Sequence, residues 1–135
     1  MNVVDSSGWL EYFADGPNAS FFAPAIEATD ALVVPSISVY EVFKRVLQQR
    51  DEQEALQSVA IMLRSTIVDL NSQLALAAAR ISSQLQIPMA DSIILATARA
   101  YDATLWTQDG HFESVEGVQY IAVQPPPKSS DEQPA

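Results

Sequence analysis

Short apolar runs rich in β-branched residues, each too brief to make a helix, alternate along this chain with longer segments whose apolar residues recur at helical spacing. That alternation constrains the fold more than any other feature. The short runs are residues 1 to 5, ending in Val3-Val4-Asp5; Ala31 to Val34, closed by Pro35; Thr66 to Leu70; Thr104 to Thr107; and Val118 to Val123, read as an edge strand. The first helical turn covers Trp9, Leu10, Tyr12 and Phe13, with Ser6 or Ser7 as its cap, and the next helix, Asn18 to Ala28, should start or bend at Pro24. Ser36 opens a helix whose Val39, Val42, Phe43, Val46 and Leu47 make one buried face. Glu52 to about Arg64 follows with Leu56, Val59, Ala60 and Leu63 inward; then come Gln73 to Gln84, capped by Asn71 or Ser72, and Ala90 to Tyr101. Strands separated by helices are brought side by side by crossovers, so the expected fold is α/β: a mostly parallel central sheet of about five strands with helices on both faces. In such a sheet, ligands bind at the carboxyl ends of the strands.

The chain has 135 residues, enough for one core, and residues 1–124 are expected to form one domain. From Pro125 on, Pro125-Pro126-Pro127 and the polar residues after them lack the apolar groups that would offset ordering, so 125–135 reads as a disordered or extended acidic tail. No run approaches the ~20 apolar residues of a membrane span, and the first residues offer neither a basic region nor an apolar stretch for export, so no membrane association and a cytoplasmic location are expected. The absence of cysteine excludes disulfide frameworks, thiol nucleophiles and Cys-based zinc sites. The formal charge is −10, of which the tail carries only −1. Such a balance argues against binding nucleic acid mainly by coating phosphates with Lys and Arg. It leaves a solubilising surface, or carboxylates gathered where a divalent cation neutralises some of them.

Four carboxylates are candidates for such a gathering. Asp5 and Asp109 each stand just beyond a strand, and both would project from the same sheet edge. Asp91 lies in the first turn of a helix, where the macrodipole favours an ionised carboxylate, on the face that carries Leu95 and Ala98 inward. Glu41 lies within the Ser36 helix. Each has a bland alternative: Asp5 and Asp91 as helix caps, Glu41 as the surface partner of Lys44 or Arg45, and Asp109 as an ordinary turn residue. If the four converge, like charges raise one another's pKa and a hard divalent ion resolves the repulsion; all-oxygen donors favour Mg²⁺ or Mn²⁺ over zinc and suit phosphodiester hydrolysis. His111 is the only histidine, which excludes acid–base catalysis by paired histidines and leaves it a packing or surface role.

Four segments, Val3-Val4-Asp5-Ser6-Ser7, Val39-Tyr40-Glu41-Val42, Met89-Ala90-Asp91-Ser92-Ile93-Ile94-Leu95-Ala96 and Leu105-Trp106-Thr107-Gln108-Asp109-Gly110-His111-Phe112, resemble in order the successive motifs of PIN domains. Together they cover nearly the whole chain, and its length is similar to that of VapC-type toxins of toxin–antitoxin pairs. The resemblance implies a PIN-like domain acting as an Mg²⁺- or Mn²⁺-dependent endoribonuclease, inhibited by a small cognate antitoxin that often inserts a basic side chain among the acidic ligands, and commonly homodimeric. It implies Asp5, Glu41 and Asp91 as core metal ligands, Asp109 as the residue completing the acidic set, and Ser6 and Thr107 as supporting hydroxyls. Lys44 and Arg45, on the Glu41 helix, are candidate contacts to RNA phosphate. The family often carries a second acid two places after the one matching Asp109; His111 stands there, which bears on a second metal. The competing reading is a catalytically silent PIN-like module that binds a partner protein. An aspartyl-nucleophile phosphatase would want a carboxylate where Ser7 stands, and a phospho-receiver domain would want a later lysine, whereas the lysines here are Lys44 and Lys128.

Overall fold

The computed structural model describes residues 1–125; the remainder of the expected tail, 126–135, lies outside the described residues. In chain order the elements are β1 (Asn2–Val4), α1 (Ser6–Phe13), α2 (Ala19–Glu27), β2 (Val33–Pro35), α3 (Ser36–Gln49), α4 (Glu52–Met62), β3 (Thr66–Val68), α5 (Ser72–Leu85), α6 (Met89–Ala100), β4 (Thr104–Thr107) and β5 (Val118–Tyr120), with short 3₁₀ turns at Thr29–Ala31 and Gly110–Phe112. Among the described residues, no helix is long and apolar enough to cross a membrane.

All strand pairs are parallel, as the intervening helices require, but they do not form one sheet. β1, β4 and β5 make a three-stranded sheet with β4 in the middle and β5 at an edge, and β2 pairs with β3 separately. The expected central sheet of about five strands is thereby corrected to three strands plus two. One bridge, Asn2 to Leu32, joins them. Neighbouring strands rotate against each other, and strands of three residues leave little length over which a ladder can hold through that twist.

Successive residues of a strand point to opposite faces, and the core divides accordingly. Val3, Val33 and Leu105 bury against the α5 and α6 side chains Leu74, Ile81 and Ile94. Their neighbours Val4 and Val34, with Trp106, join Trp9, Phe22, Ile26, Val42 and Met62 on the other side. Helices therefore cover both faces. Helix α6 is buried from Asp91 through Ala98, all round rather than along one stripe.

Four local expectations change. Leu47, expected on the buried face of α3, is exposed, and the fully buried positions there are Ser38 and Val42. Helix α2 runs through Pro24 from Ala19, held by the buried Phe22, Ala25 and Ile26. The inward face of α4 is Ala55, Ser58 and Met62, while Leu56 and Leu63 are exposed; small residues let α4 lie close to α3, and that packing overrides the leucine spacing. Neither Ser6 nor Ser7 caps α1, because both lie inside it.

Candidate metal centre

The β1 strand delivers Asp5 to the carboxyl edge of the sheet. The Asp5 N–H still donates to the Trp106 carbonyl at 2.9 Å, so the pairing with β4 extends to the residue that carries the acid. Asp5 stands at the N-cap position of α1, yet its side chain caps nothing there. Its Oδ2 instead accepts from Ser7 Oγ at 2.7 Å and from the buried Thr107 Oγ1 at 3.0 Å. Thr107 Oγ1 in turn accepts from the Asp109 N–H at 2.9 Å, so one hydroxyl positions both acids of the sheet edge.

Asp109 also caps the 3₁₀ turn that follows it: its Oδ1 accepts from the His111 N–H at 2.9 Å. The turn-residue explanation therefore holds for Asp109 alongside its place in the cluster. Asp91 lies in the first turn of α6, where Pro88 is the N-cap, and its side chain is buried rather than capping. Glu41 reaches the same end of the sheet from α3, where Ser6 Oγ donates to its Oε1 at 2.6 Å. Among the described residues, no ion pair ties Glu41 to Lys44 or Arg45. Those two cations are exposed and line a groove with Ser6, Tyr40, Glu41 and Gln48, and the Lys44 Nζ sits 5.7 Å above the Tyr40 ring.

Charge interaction marks which acids share the space. Burial raises the Asp5 carboxyl above its ordinary value; the hydrogen bonds from Ser7 and Thr107 oppose the rise, and the charges of Asp109 and Glu41 add to it. Asp91 is pushed up to about 7, first by burial, then by Asp109 and Asp5, with His111 opposing and Glu41 adding. Each of these two acids thus carries the field of its acidic neighbours. Among the described residues, the tightest group of possible metal donors is Asp91, Asp109 and His111, whose donor atoms lie within 4.8 Å of one another. Asp5 and Glu41 stand outside that group.

His111 is the residue that sequence reasoning missed. It is exposed, as a surface role implies, but its Nδ1 also lies 3.0 Å from Asp91 Oδ2 and 2.8 Å from Asp109 Oδ1. The available signal was its position two residues after Asp109, in a turn tight enough to bring the ring back beside that carboxylate. The donor chemistry fits a divalent ion: Asp5 and Asp91 are raised by burial first and by neighbouring acids next, which positive charge relieves, and no lysine or arginine stands among their hydrogen-bond or ion-pair partners in the described residues.

A family profile described as PIN domain matches residues 3–118. By sequence, no curated protein matches. Similar folds occur in a toxin–antitoxin complex from Klebsiella pneumoniae, with a TM-score of 0.74 and 19% identity over 88% of this chain and 96% of that one. They also occur in VapC20 of Mycobacterium tuberculosis, described as a sarcin–ricin loop cleaving toxin, with a TM-score of 0.74 and 16% identity over 93% and 100%. A third is VapBC2 from Rickettsia felis bound to a promoter DNA fragment, with a TM-score of 0.69 and 16% identity over 90% and 97%.

Proposed function

Because this chain belongs to the PIN domain family, we propose that it is an Mg²⁺- or Mn²⁺-dependent endoribonuclease that hydrolyses RNA phosphodiester bonds as the toxin of a toxin–antitoxin pair. The observation that carries this reading is the gathering of acids at one sheet edge: Asp91 and Asp109 present donor atoms within 4.8 Å of each other and of His111, and the Thr107 hydroxyl ties Asp109 to the buried Asp5. Similarity to folds of toxin–antitoxin complexes supports the biological setting. On this reading the protein works in the cytoplasm, pairs with a cognate antitoxin and forms a homodimer, and residues 1–124 are its nuclease domain.

Asp5, Glu41 and Asp91 would hold the ion, with Asp109 completing the acidic set. With Mg²⁺ or Mn²⁺ bound, the centre gains the charge needed to generate a nucleophilic water and to stabilise the oxygen that leaves phosphorus. The rest falls to the chain. Thr107 and Ser7 hold Asp5 by donating to its Oδ2, so that the other oxygen is left for the centre. Ser6 holds Glu41 in the same manner. Lys44 and Arg45 line the groove that leads away from Glu41 and would receive RNA phosphates on either side of the bond being cut.

Mn²⁺ or Mg²⁺ should raise the melting temperature of the wild type, and Asp5→Asn should abolish most of that rise. Purified protein should cut RNA only with the ion present, and Asp91→Asn should lower the rate by at least about a hundredfold, roughly the loss seen when one strong electrostatic stabiliser of a transition state is removed. A metal-induced rise without any RNA cleavage would favour the silent binding module, and no rise at all would remove the metal centre.

A further inference from the structure

Resting on the metal reading above, we propose that His111 is itself a ligand of the divalent ion and that its ring nitrogen tips the centre from Mg²⁺ toward Mn²⁺. Of the acids assigned to the centre, only Asp91 and Asp109 fall within the tight donor group, and the third member is the imidazole. Its Nδ1 approaches both carboxylates, at 3.0 Å and 2.8 Å. Donor atoms on one edge of an octahedron whose bonds are about 2.1 Å stand about 3 Å apart. The separations therefore suit two adjacent edges meeting at the nitrogen, so a cation could sit among the three donors without moving the ring far.

The ring is also held in advance. The His111 N–H is anchored on Asp109 Oδ1, and the next residue, Phe112, is fully buried in the core. The turn thus has a fixed foot on each side of the histidine. The His111 side chain is 54% exposed, so it does not contribute the packing that would otherwise explain its placement. Mg²⁺ is a hard ion that takes oxygen, whereas transition ions gain affinity from an imidazole donor. A carboxylate at this position would keep the set all-oxygen; the nitrogen makes it discriminating.

The chain has one histidine, which makes the test direct. Full-length protein without a histidine tag is loaded with Mn²⁺ and examined by pulsed electron paramagnetic resonance for ¹⁴N coupling from a directly bound imidazole. The coupling should be present in the wild type and lost in His111→Ala and His111→Asp. Calorimetric titration should show the Mn²⁺ over Mg²⁺ affinity ratio falling at least about tenfold in His111→Asp, the lower end of the change expected when a ligand environment is altered. Mn²⁺ bound without ¹⁴N coupling, or a ratio unchanged in His111→Asp, overturns the role of His111 and leaves the carboxylate centre standing. Failure of the wild type to bind either ion overturns both.

Discussion

Asp5 and Asp91 both bind their protons more tightly in the fold than in the unfolded chain, the reverse of the usual ion-paired aspartate. For Asp91 the carboxyl moves from 3.8 to about 7, with burial the largest cause and Asp109 and Asp5 next. A carboxyl raised in this way stabilises the fold while it is protonated, and the contribution is lost as pH rises through the folded value. The metal-free protein should therefore melt at a higher temperature near about pH 5 than near about pH 8, and the difference should shrink in Asp91→Asn and on adding Mn²⁺. A melting temperature that falls on acidification through this window would show that Asp91 is not held against neighbouring acids. Asp5 was legible in the sequence because a carboxylate directly after a buried strand has a fixed address at the sheet edge. Asp91 was legible because it faces inward in a helix's first turn. Glu41 was ambiguous, since Lys44 and Arg45 offered it partners at helical spacing; only the contact from Ser6, 35 positions away, shows where it turns. For His111 only the position was legible, two residues after Asp109 where a second acid is common; its approach to Asp91 was not, because that depends on the turn which brings the ring back beside the acids.

At the scale of elements, the order of helices and strands follows from apolar periodicity, whereas the packing face of α4 does not. Leu56 and Leu63 make the more apolar stripe, yet Ala55 and Ser58 are turned inward, since close approach of two helices rewards small side chains over large ones. The same principle is stronger in α1. A Cβ on Gly8 would come within 2.6 Å of the Phe22 ring and 2.7 Å of Val4 Cγ1. Phe22 is fully buried and Val4 lies in β1, so neither can give way cheaply. Gly8→Ala should destabilise the protein by about 1–3 kcal/mol, the usual cost of overpacking a filled core, and chemical denaturation should show a lower midpoint. Because α1 starts at the residue after Asp5, the substitution should also weaken the metal-induced rise in melting temperature. An unchanged midpoint would mean that the α1–α2 contact is looser than these distances imply.

For the whole molecule, the parallel α/β arrangement was legible from strands separated by helices, but the break between β1 and β2 was not. The strands that meet there are only three residues long, and so short a run does not encode whether its ladder continues into the next strand. The charge balance, by contrast, was legible from the start, and it governs how such a body can meet RNA. With a formal charge of −10, the surface as a whole repels a polyanion, so on the proposed reading RNA binding rests on the metal centre and on the few cations beside it. Lys44 and Arg45 are the two that line the groove next to Glu41. For a single strand, each neutralised phosphate contributes about −0.7 to the slope of log affinity against log salt, so contacts from these two side chains predict a slope of about −1.4. The measurement uses an uncleavable single-stranded RNA at fixed Mn²⁺ while monovalent salt is varied. Lys44→Gln and Arg45→Gln should each flatten the slope by about 0.7 and weaken binding across RNA sequences, while leaving the metal-induced rise in melting temperature unchanged. A slope steeper than about −4 would require more phosphate contacts than this groove supplies, and a second copy of the chain or a partner protein would then have to provide them.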